Sequence, residues 1–276
     1  MIKNRRILIT GMAGSIGSEL MRQLAPNNKI FGIDTNETGI FDLIEEHQLK
    51  GQWVYGRVGD VRDMNTVNDV FSDFKPEIVI HAAALKHVKP NEDYPLEAIQ
   101  TNVIGTYNVI YCAKKWQTKR FVFISTDKVV NANSIMGGTK KLGEIMARNN
   151  GFVAVRFGNV MGSRGSVIPF WQNQIEKGGP ITVTDERMER YFMDIPEACS
   201  LVLYAAEHGK AGETWVLDMG ERVNVLELAR KIIKETKKDI KIKMIGIRPG
   251  ETLSERLMTE EESKMATKRG RFNIIK

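Results

Sequence analysis

The apolar run Arg120-Phe-Val-Phe-Ile124 ends in Ser125-Thr126-Asp127-Lys128. A hydroxyl, a carboxylate and an amine therefore leave one predicted strand end together. A carboxyl group can give or take a proton, a neutral amine can take one, and a hydroxyl can hold a substrate alcohol. Without its surroundings the same string also reads as a polar strand end running into a loop. Downstream, Met136-Gly-Gly-Thr-Lys140 opens a helical pattern, and a spacing of four puts Met136 and Lys140 on one face. Facing the sheet, Lys140 would reach the ribose hydroxyls of a nucleotide; facing outward, it would be an ordinary surface lysine.

A second constellation lies near the start of the chain. Ile7-Leu-Ile-Thr10 is followed by Gly11, Gly14 and Gly17, then by the helically spaced Ser18-Glu-Leu-Met-Arg-Gln-Leu24. Strand, glycine turn and helix in that order make a dinucleotide pyrophosphate site. Gly11 makes the turn, Gly14 admits the phosphates, and Gly17 lets helix and strand pack closely. Met12, Ala13, Ser15 and Ile16 would contribute backbone groups, since helix-start N–H groups attract anions. The run Lys29-Ile-Phe-Gly-Ile33 then ends in Asp34, placed to accept from the adenosine ribose or to cap the next helix. A carboxylate there repels a 2′-phosphate, so NAD is expected, with NADP left open. Asp60 and Val61 follow the third strand, where a side chain either reaches the adenine or closes a turn.

These residues need a scaffold that collects strand ends. Strands are predicted at 7–10, 29–33, 53–58, 77–81, 120–125, 152–156 and 214–218. Helices are predicted at 15–25, 39–48, 64–73, 95–116, 136–149 and 195–208. Such alternation predicts an α/β fold, a Rossmann-like doubly wound parallel sheet. From residue 159 the rhythm breaks into loops, then a helix at 223–236 and a strand at 240–245. The expected division is a nucleotide-binding domain of 1–158 plus 191–220. An interleaved substrate-binding cap takes 159–190 plus 221–276 and sits over the carboxyl edge of the sheet.

Composition narrows the function classes. The 276 residues are 42% apolar and 27% charged, ordinary for a globular protein. No apolar run approaches the ~20 residues of a membrane span, and no signal-peptide pattern opens the chain. Cys112 and Cys199 sit in apolar helical patterns, so buried thiols in a reducing, cytoplasmic compartment are expected, with no metal site. The net charge of +6 suits an anionic small molecule. The basic residues are dispersed without an aromatic-basic module, which argues against nucleic acid. Lys268-Arg-Gly-Arg271 is expected to be a solvated tail.

Nearly end to end, the chain resembles the extended short-chain dehydrogenase/reductases. Within them it is similar to the UDP-N-acetylglucosamine 4,6-dehydratases of bacterial polysaccharide biosynthesis. Thr10-Gly-Met-Ala-Gly-Ser-Ile-Gly-Ser-Glu19, His81-Ala-Ala-Ala-Leu-Lys-His-Val88, Thr101-Asn-Val-Ile-Gly-Thr106 and Ser125-Thr-Asp-Lys128 carry the likeness. It continues in Arg156-Phe-Gly-Asn-Val160, Gly162-Ser-Arg-Gly-Ser-Val-Ile-Pro169, Ile181-Thr-Val-Thr184, Arg190-Tyr-Phe-Met193 and Arg248-Pro-Gly-Glu251. One departure stands out. Most short-chain dehydrogenases carry a tyrosine four residues before the lysine, where this chain has Met136, which does no acid–base chemistry. A larger, usually membrane-anchored branch of the dehydratases also has methionine there. This chain resembles the catalytic part of that branch.

The resemblance implies oxidation at C4, loss of water across C5 and C6, and return of hydride to C6. It implies Lys128 as base at C5, Asp127 as acid toward the C6 hydroxyl, Thr126 on the C4 hydroxyl and Lys140 on the nicotinamide ribose. Ala82, Ala83, Ala84 and Asn102 join the cofactor site. Lys86, His87, Asn159 and Val167 border the sugar and its phosphates. Arg164, Arg190 and Arg248 suit two phosphates, because guanidinium groups bind them bidentately. Ile181 and Thr182 bracket the uracil, and Glu251 accepts from the uridine ribose. A homodimer or larger homo-oligomer, pairing through the helices at 95–116 and 136–149, is implied too. Two alternatives stay open at this point: a UDP-hexose 4-epimerase of the same fold, and a non-catalytic nucleotide-binding relative.

Overall fold

A computed structural model of the chain describes residues 2–276. In chain order its elements are β1 (Arg6–Thr10), α1 (Ser15–Leu24), β2 (Lys29–Asp34), α2 (Glu37–Gln48), β3 (Val54–Val58), α3 (Met64–Phe74), β4 (Ile78–His81), α4 (Val88–Asp93), α5 (Pro95–Ala98), α6 (Thr106–Lys115), β5 (Arg120–Ile124), α7 (Ile135–Asn149) and β6 (Val153–Arg156). They continue as β7 (Asn159–Met161), α8 (Val167–Glu176), β8 (Ile181–Val183), β9 (Glu189–Asp194), α9 (Ile195–His208), β10 (Thr214–Leu217), β11 (Arg222–Asn224), α10 (Val225–Thr236), β12 (Ile242–Met244), α11 (Glu260–Met265), β13 (Thr267–Arg269) and β14 (Phe272–Ile275).

Nine strands form the main sheet in the order β13-β14-β10-β6-β5-β4-β1-β2-β3. The seven from β10 to β3 are mutually parallel. Both faces are covered, as the short apolar strands require. Ile7 and Ile9 point to the core under α1, α2 and α9, while Leu8 between them points to the core under α3, α6 and α7. This is the doubly wound Rossmann-like sheet that the alternation predicts.

Two parts depart from the sequence reading. The helix expected over 95–116 runs from Pro95 to Lys115 but is not uniform. Between α5 and α6 the chain makes a wide π turn over Ile99–Gly105, which draws Asn102 into the interior. The basic tail is not free either. Residues 267–275 form an antiparallel hairpin that extends the main sheet beyond β10. This segment therefore leaves the cap to which 221–276 was assigned. Phe272 meets Trp215 edge-on at 4.9 Å, and Arg271 pairs with Glu197 at 2.9 Å. The polar strand β13 was unreadable as an isolated strand because its partner, β14, supplies the pairing.

The cap has its own small core of Trp171, Ile175, Ile181, Val183, Met188, Val225 and Ala229. A three-stranded sheet, β11-β9-β7, and the pair β12-β8 frame it. Beneath the cap lies a buried ionic network. Arg156, fully enclosed, reaches Glu144 at 2.6 Å, Glu262 at 2.7 Å and the Leu257 carbonyl at 3.0 Å. Ser125 donates to Glu144 at 2.5 Å. The network ties β5, β6 and α7 to the segment before α11. Arg156→Ala strands the buried Glu144 carboxylate and is expected to cost about 3–5 kcal/mol in urea unfolding. A loss under about 1 kcal/mol, the value of an exposed pair, would contradict this assignment.

Candidate active site

A cleft of about 860 Å³ opens at the carboxyl ends of the parallel strands. Its floor on one side is the glycine turn. Gly11 has φ +71°, and a Cβ there would sit 2.7 Å from the Ala83 nitrogen. A Cβ on Gly17 would collide with the Gly11 carbonyl. The turn thus brings β1, α1 and the loop after β4 closer together than side chains permit. Helix α1 starts at Gly14 with no side-chain cap, so its first N–H groups are available to an anion. Asp34 lines the cleft and accepts from the Ala13 N–H at 2.9 Å, which fixes the turn against β2. Ser15, Ile16, Asp60, Val61, Ala82, Ala83 and Ala84 complete this half. Asp60 is held by Arg62 at 2.6 Å.

Beyond it the cluster at the end of β5 faces the same cleft. The Asp127 N–H donates to the Phe157 carbonyl at 3.0 Å, so β6 holds the turn in place. Thr126 caps it, and its hydroxyl donates to Asp127 Oδ1 at 2.9 Å. Lys128 Nζ donates to Asp127 Oδ1 at 3.0 Å, to Asn159 Oδ1 at 3.3 Å and to Glu255 Oε2 at 2.7 Å. Asp127 is buried, and its Oδ2 has no hydrogen-bond partner among the described residues. Burial and the neighbouring Glu255 raise its proton affinity against the pull of Lys128. Burial would strip the proton from Lys128, but Asp127 and Glu255 outweigh it and hold the ammonium. Glu255 is kept ionised against its own burial by Lys128 and Arg190.

Ser134 caps α7 by accepting from the Gly137 N–H at 3.0 Å. The helix then presents Met136 and Lys140 to the cleft. Lys140 Nζ donates to the Ile124 carbonyl at 2.5 Å and lies 4.1 Å from the Phe123 ring centroid. Met136 is buried in the wall. Lys86 reaches Ser163 at 3.3 Å, and burial with Arg164 and Lys128 nearby lowers its pKa. His87, Arg164, Val167 and Glu251 line the opposite rim. The Arg164 N–H donates to Ser15 at 3.0 Å, so the substrate side closes onto the glycine turn.

Five sequence-predicted residues are placed differently. Asn102 does not line the cleft; its amide grips Leu85, accepting from its N–H at 2.8 Å and donating to its carbonyl at 3.0 Å. It shapes the cofactor-side loop from behind. Ile181 is fully buried in the cap core. Thr182 is tied to Gln174 at 3.0 Å. Arg248 lies on an exposed loop outside the cleft lining. Arg190 lines the cleft, but its donors are committed: to Thr252 at 2.7 Å, Glu189 at 2.8 Å and Leu253 at 3.1 Å, all carbonyls, with Glu255 at 3.4 Å. Most of its N–H groups hold the chain. The residue that sequence reasoning missed is Glu255, on a segment without periodicity whose partner is far away in sequence.

Comparisons with known proteins identify the family and the fold. A family model described as "Polysaccharide biosynthesis protein" matches residues 7–276. The capsular polysaccharide biosynthesis protein CapD of Staphylococcus aureus is 44% identical over 95% of this chain and 46% of its own length. The chain thus spans about half the length of that relative. A UDP-glucose 4-epimerase of Rickettsia bellii is 36% identical over 100% of the chain and 84% of its own length. Among solved structures, Pen from Bacillus thuringiensis superposes with a TM-score of 0.94 at 34% identity, covering 99% of this chain and 88% of that one. DesIV, a dTDP-glucose 4,6-dehydratase from Streptomyces venezuelae solved with NAD and TYD bound, gives 0.81 at 21% identity, covering 94% and 90%. That last likeness concerns the fold.

Burial pushes the Lys140 ammonium down to about 7, with Glu144 opposing. The folded protein therefore binds this proton more weakly than the unfolded chain. The linked stability is complete above the unfolded value near 10.5, declines as pH falls, and is lost through pH 7. Between those limits wild type should gain up to about 1.4 kcal/mol per pH unit relative to Lys140→Met. Paired urea unfolding at pH 6 to 9 measures the difference, and parallel curves would refute it.

Proposed function

The chain belongs to the polysaccharide biosynthesis protein family, and from that premise we propose that it is an NAD-dependent nucleotide-sugar 4,6-dehydratase acting on UDP-N-acetylglucosamine. The observation that carries this reading is the meeting of Thr126, Asp127 and Lys128 with the glycine turn in one cleft. The residues fit a dinucleotide: a turn that side chains would fill, uncapped amides at α1, and a carboxylate at the end of β2. That carboxylate, Asp34, favours NAD over a 2′-phosphorylated cofactor. When bound, the nicotinamide would accept hydride from C4 and return it to C6.

The chain's own groups then divide the protons. Thr126 holds the C4 hydroxyl and passes its proton to Asp127, whose raised affinity suits it to keep that proton. As C4 becomes a ketone, the C5 proton acidifies, and Lys128 in its amine form takes it. The C5–H electron pair forms the C5–C6 double bond while the C6–O bond breaks. Asp127 gives its proton to the departing hydroxyl, which leaves as water. Lys128 finally returns a proton to C5. The sum is loss of one water with no net oxidation. Met136 offers no proton, so a single group serves C5 from one side, which favours retention at that carbon. Lys140 would orient the nicotinamide ribose, and Lys86, His87 and Arg164 would face the sugar diphosphate. The homodimer reading would use the exposed Tyr107, Tyr111, Leu142 and Ile145 on α6 and α7.

The Rickettsia relative favours a second reading, UDP-hexose 4-epimerisation, which needs no C5 base. Product mass separates the two. Incubation with UDP-N-acetylglucosamine in deuterated water should give a product lighter by one water with deuterium at C5, seen by mass spectrometry and proton NMR. A product of unchanged mass would favour the epimerase. Lys128→Ala should lower dehydration by roughly 10²–10⁴-fold. Undiminished product from that variant would remove Lys128 from the base role.

A further inference from the structure

Lys128 is assigned the work of a base, yet the structure surrounds it with anions. The second of these comes from far away in the chain. Glu255 belongs to the irregular stretch between Gly250 and Thr259 and is buried, with 8% of its side chain exposed. Its Oε2 lies 2.7 Å from Lys128 Nζ, closer than Asp127 at 3.0 Å. Its other oxygen lies 3.4 Å from Arg190 Nε. The stretch is anchored on both sides of it: Arg190 binds the carbonyls of Thr252 and Leu253, and Arg156 binds the carbonyl of Leu257. Two buried arginines thus deliver one carboxylate to one amine.

We propose that Glu255 is a positioning residue for the reaction, fixing the Lys128 amine in the cleft and setting the pH at which that amine becomes free to act as a base. The proposal rests on the dehydratase reading and deepens it. The proton inventory gives the reason. Once Asp127 carries the C4 hydroxyl proton it is neutral, and Glu255 becomes the one anion left in contact with Lys128. Glu255 then keeps the amine from swinging away and stabilises the ammonium, formed when the amine takes the C5 proton, until that proton is returned. The charged groups facing Lys128 are Asp127 on its own turn and Glu255 from the cap segment, with Asn159 as a neutral contact. Lys86 acts on it across the cleft, and Arg190 faces Glu255 from β9.

The test is Glu255→Gln, which keeps shape and a hydrogen-bond acceptor while removing the charge. Trace labelling of Lys128 with acetic anhydride across pH, read by peptide mass spectrometry, follows the amine without needing turnover. The labelling midpoint should fall by about one pH unit or more in Glu255→Gln, since an anion in contact shifts a neighbour by that order. Its C5 deuterium-exchange profile should move to lower pH by the same amount. Glu255→Asp keeps the charge and should leave the midpoint in place. Glu255→Ala should lower kcat at least tenfold with KM for the UDP-sugar within threefold. Superimposable profiles for wild type and Glu255→Gln, in a wild type that does dehydrate, would overturn this inference alone. A shifted labelling midpoint with no dehydration by wild type would overturn the dehydratase reading, yet leave the grip of Glu255 on Lys128 standing.

Discussion

An ammonium cannot be taken from water without compensation, and Lys128 is four-fifths enclosed, with 20% of its side chain exposed. Its two carboxylate partners meet that requirement from opposite directions. Asp127 comes from the same strand end, and Glu255 comes from the cap. The lysine in turn favours the charged form of both carboxylates. The cluster therefore couples the cap segment to the parallel sheet. Arg156 and Arg190 extend the same logic outward. Each is buried, and each directs its donors at carboxylates and carbonyls.

The sheet's contribution is geometric. Parallel strands end on one edge, so residues far apart in sequence arrive together without any long-range design beyond strand order. Thr126 to Lys128 follow β5, the alanine loop follows β4, and the glycine turn follows β1. The glycines then remove the side chains that would hold these loops apart. The π turn after α5 serves the same end from behind. By drawing Asn102 inward it supplies a hydrogen bond to each backbone group of Leu85, whose carbonyl also accepts from Asn91, and so helps set the course of the loop carrying Lys86 and His87.

What was legible in the sequence follows from this. The parallel strands announced themselves because each is an apolar run with a helix between it and the next. The glycine turn and the Ser125–Lys128 string were readable because their chemistry is local. Residues whose meaning depends on a distant partner were not. Arg190 looked like a phosphate ligand because nothing near it in sequence reveals the carbonyls of Thr252 and Leu253. Ile181 looked like a base-stacking residue, whereas its side chain completes the cap core. Strand β13 carries Lys268 and Arg269 and gains its place only from pairing with β14. Glu255 sits in a stretch without period or motif, and its role appears only once the fold sets it against Lys128.

Methionine in place of the usual phenol then becomes intelligible from the inventory of protons. A phenol at residue 136 would add a second proton donor on the α7 side of the cleft. With Met136 there, that position of the wall is apolar and adds no exchangeable proton of its own. On the proposed dehydratase reaction, a turn that takes a proton from C4, gives one to C6 and lends one to C5 would need two different affinities within a few ångströms. The structure supplies them by environment. Burial beside Glu255 makes Asp127 hold a proton more tightly than an ordinary carboxylate, while Glu255, between Lys128 and Arg190, gives its proton up. Two carboxylates of the same chemistry are thereby given opposite proton affinities on either side of one amine.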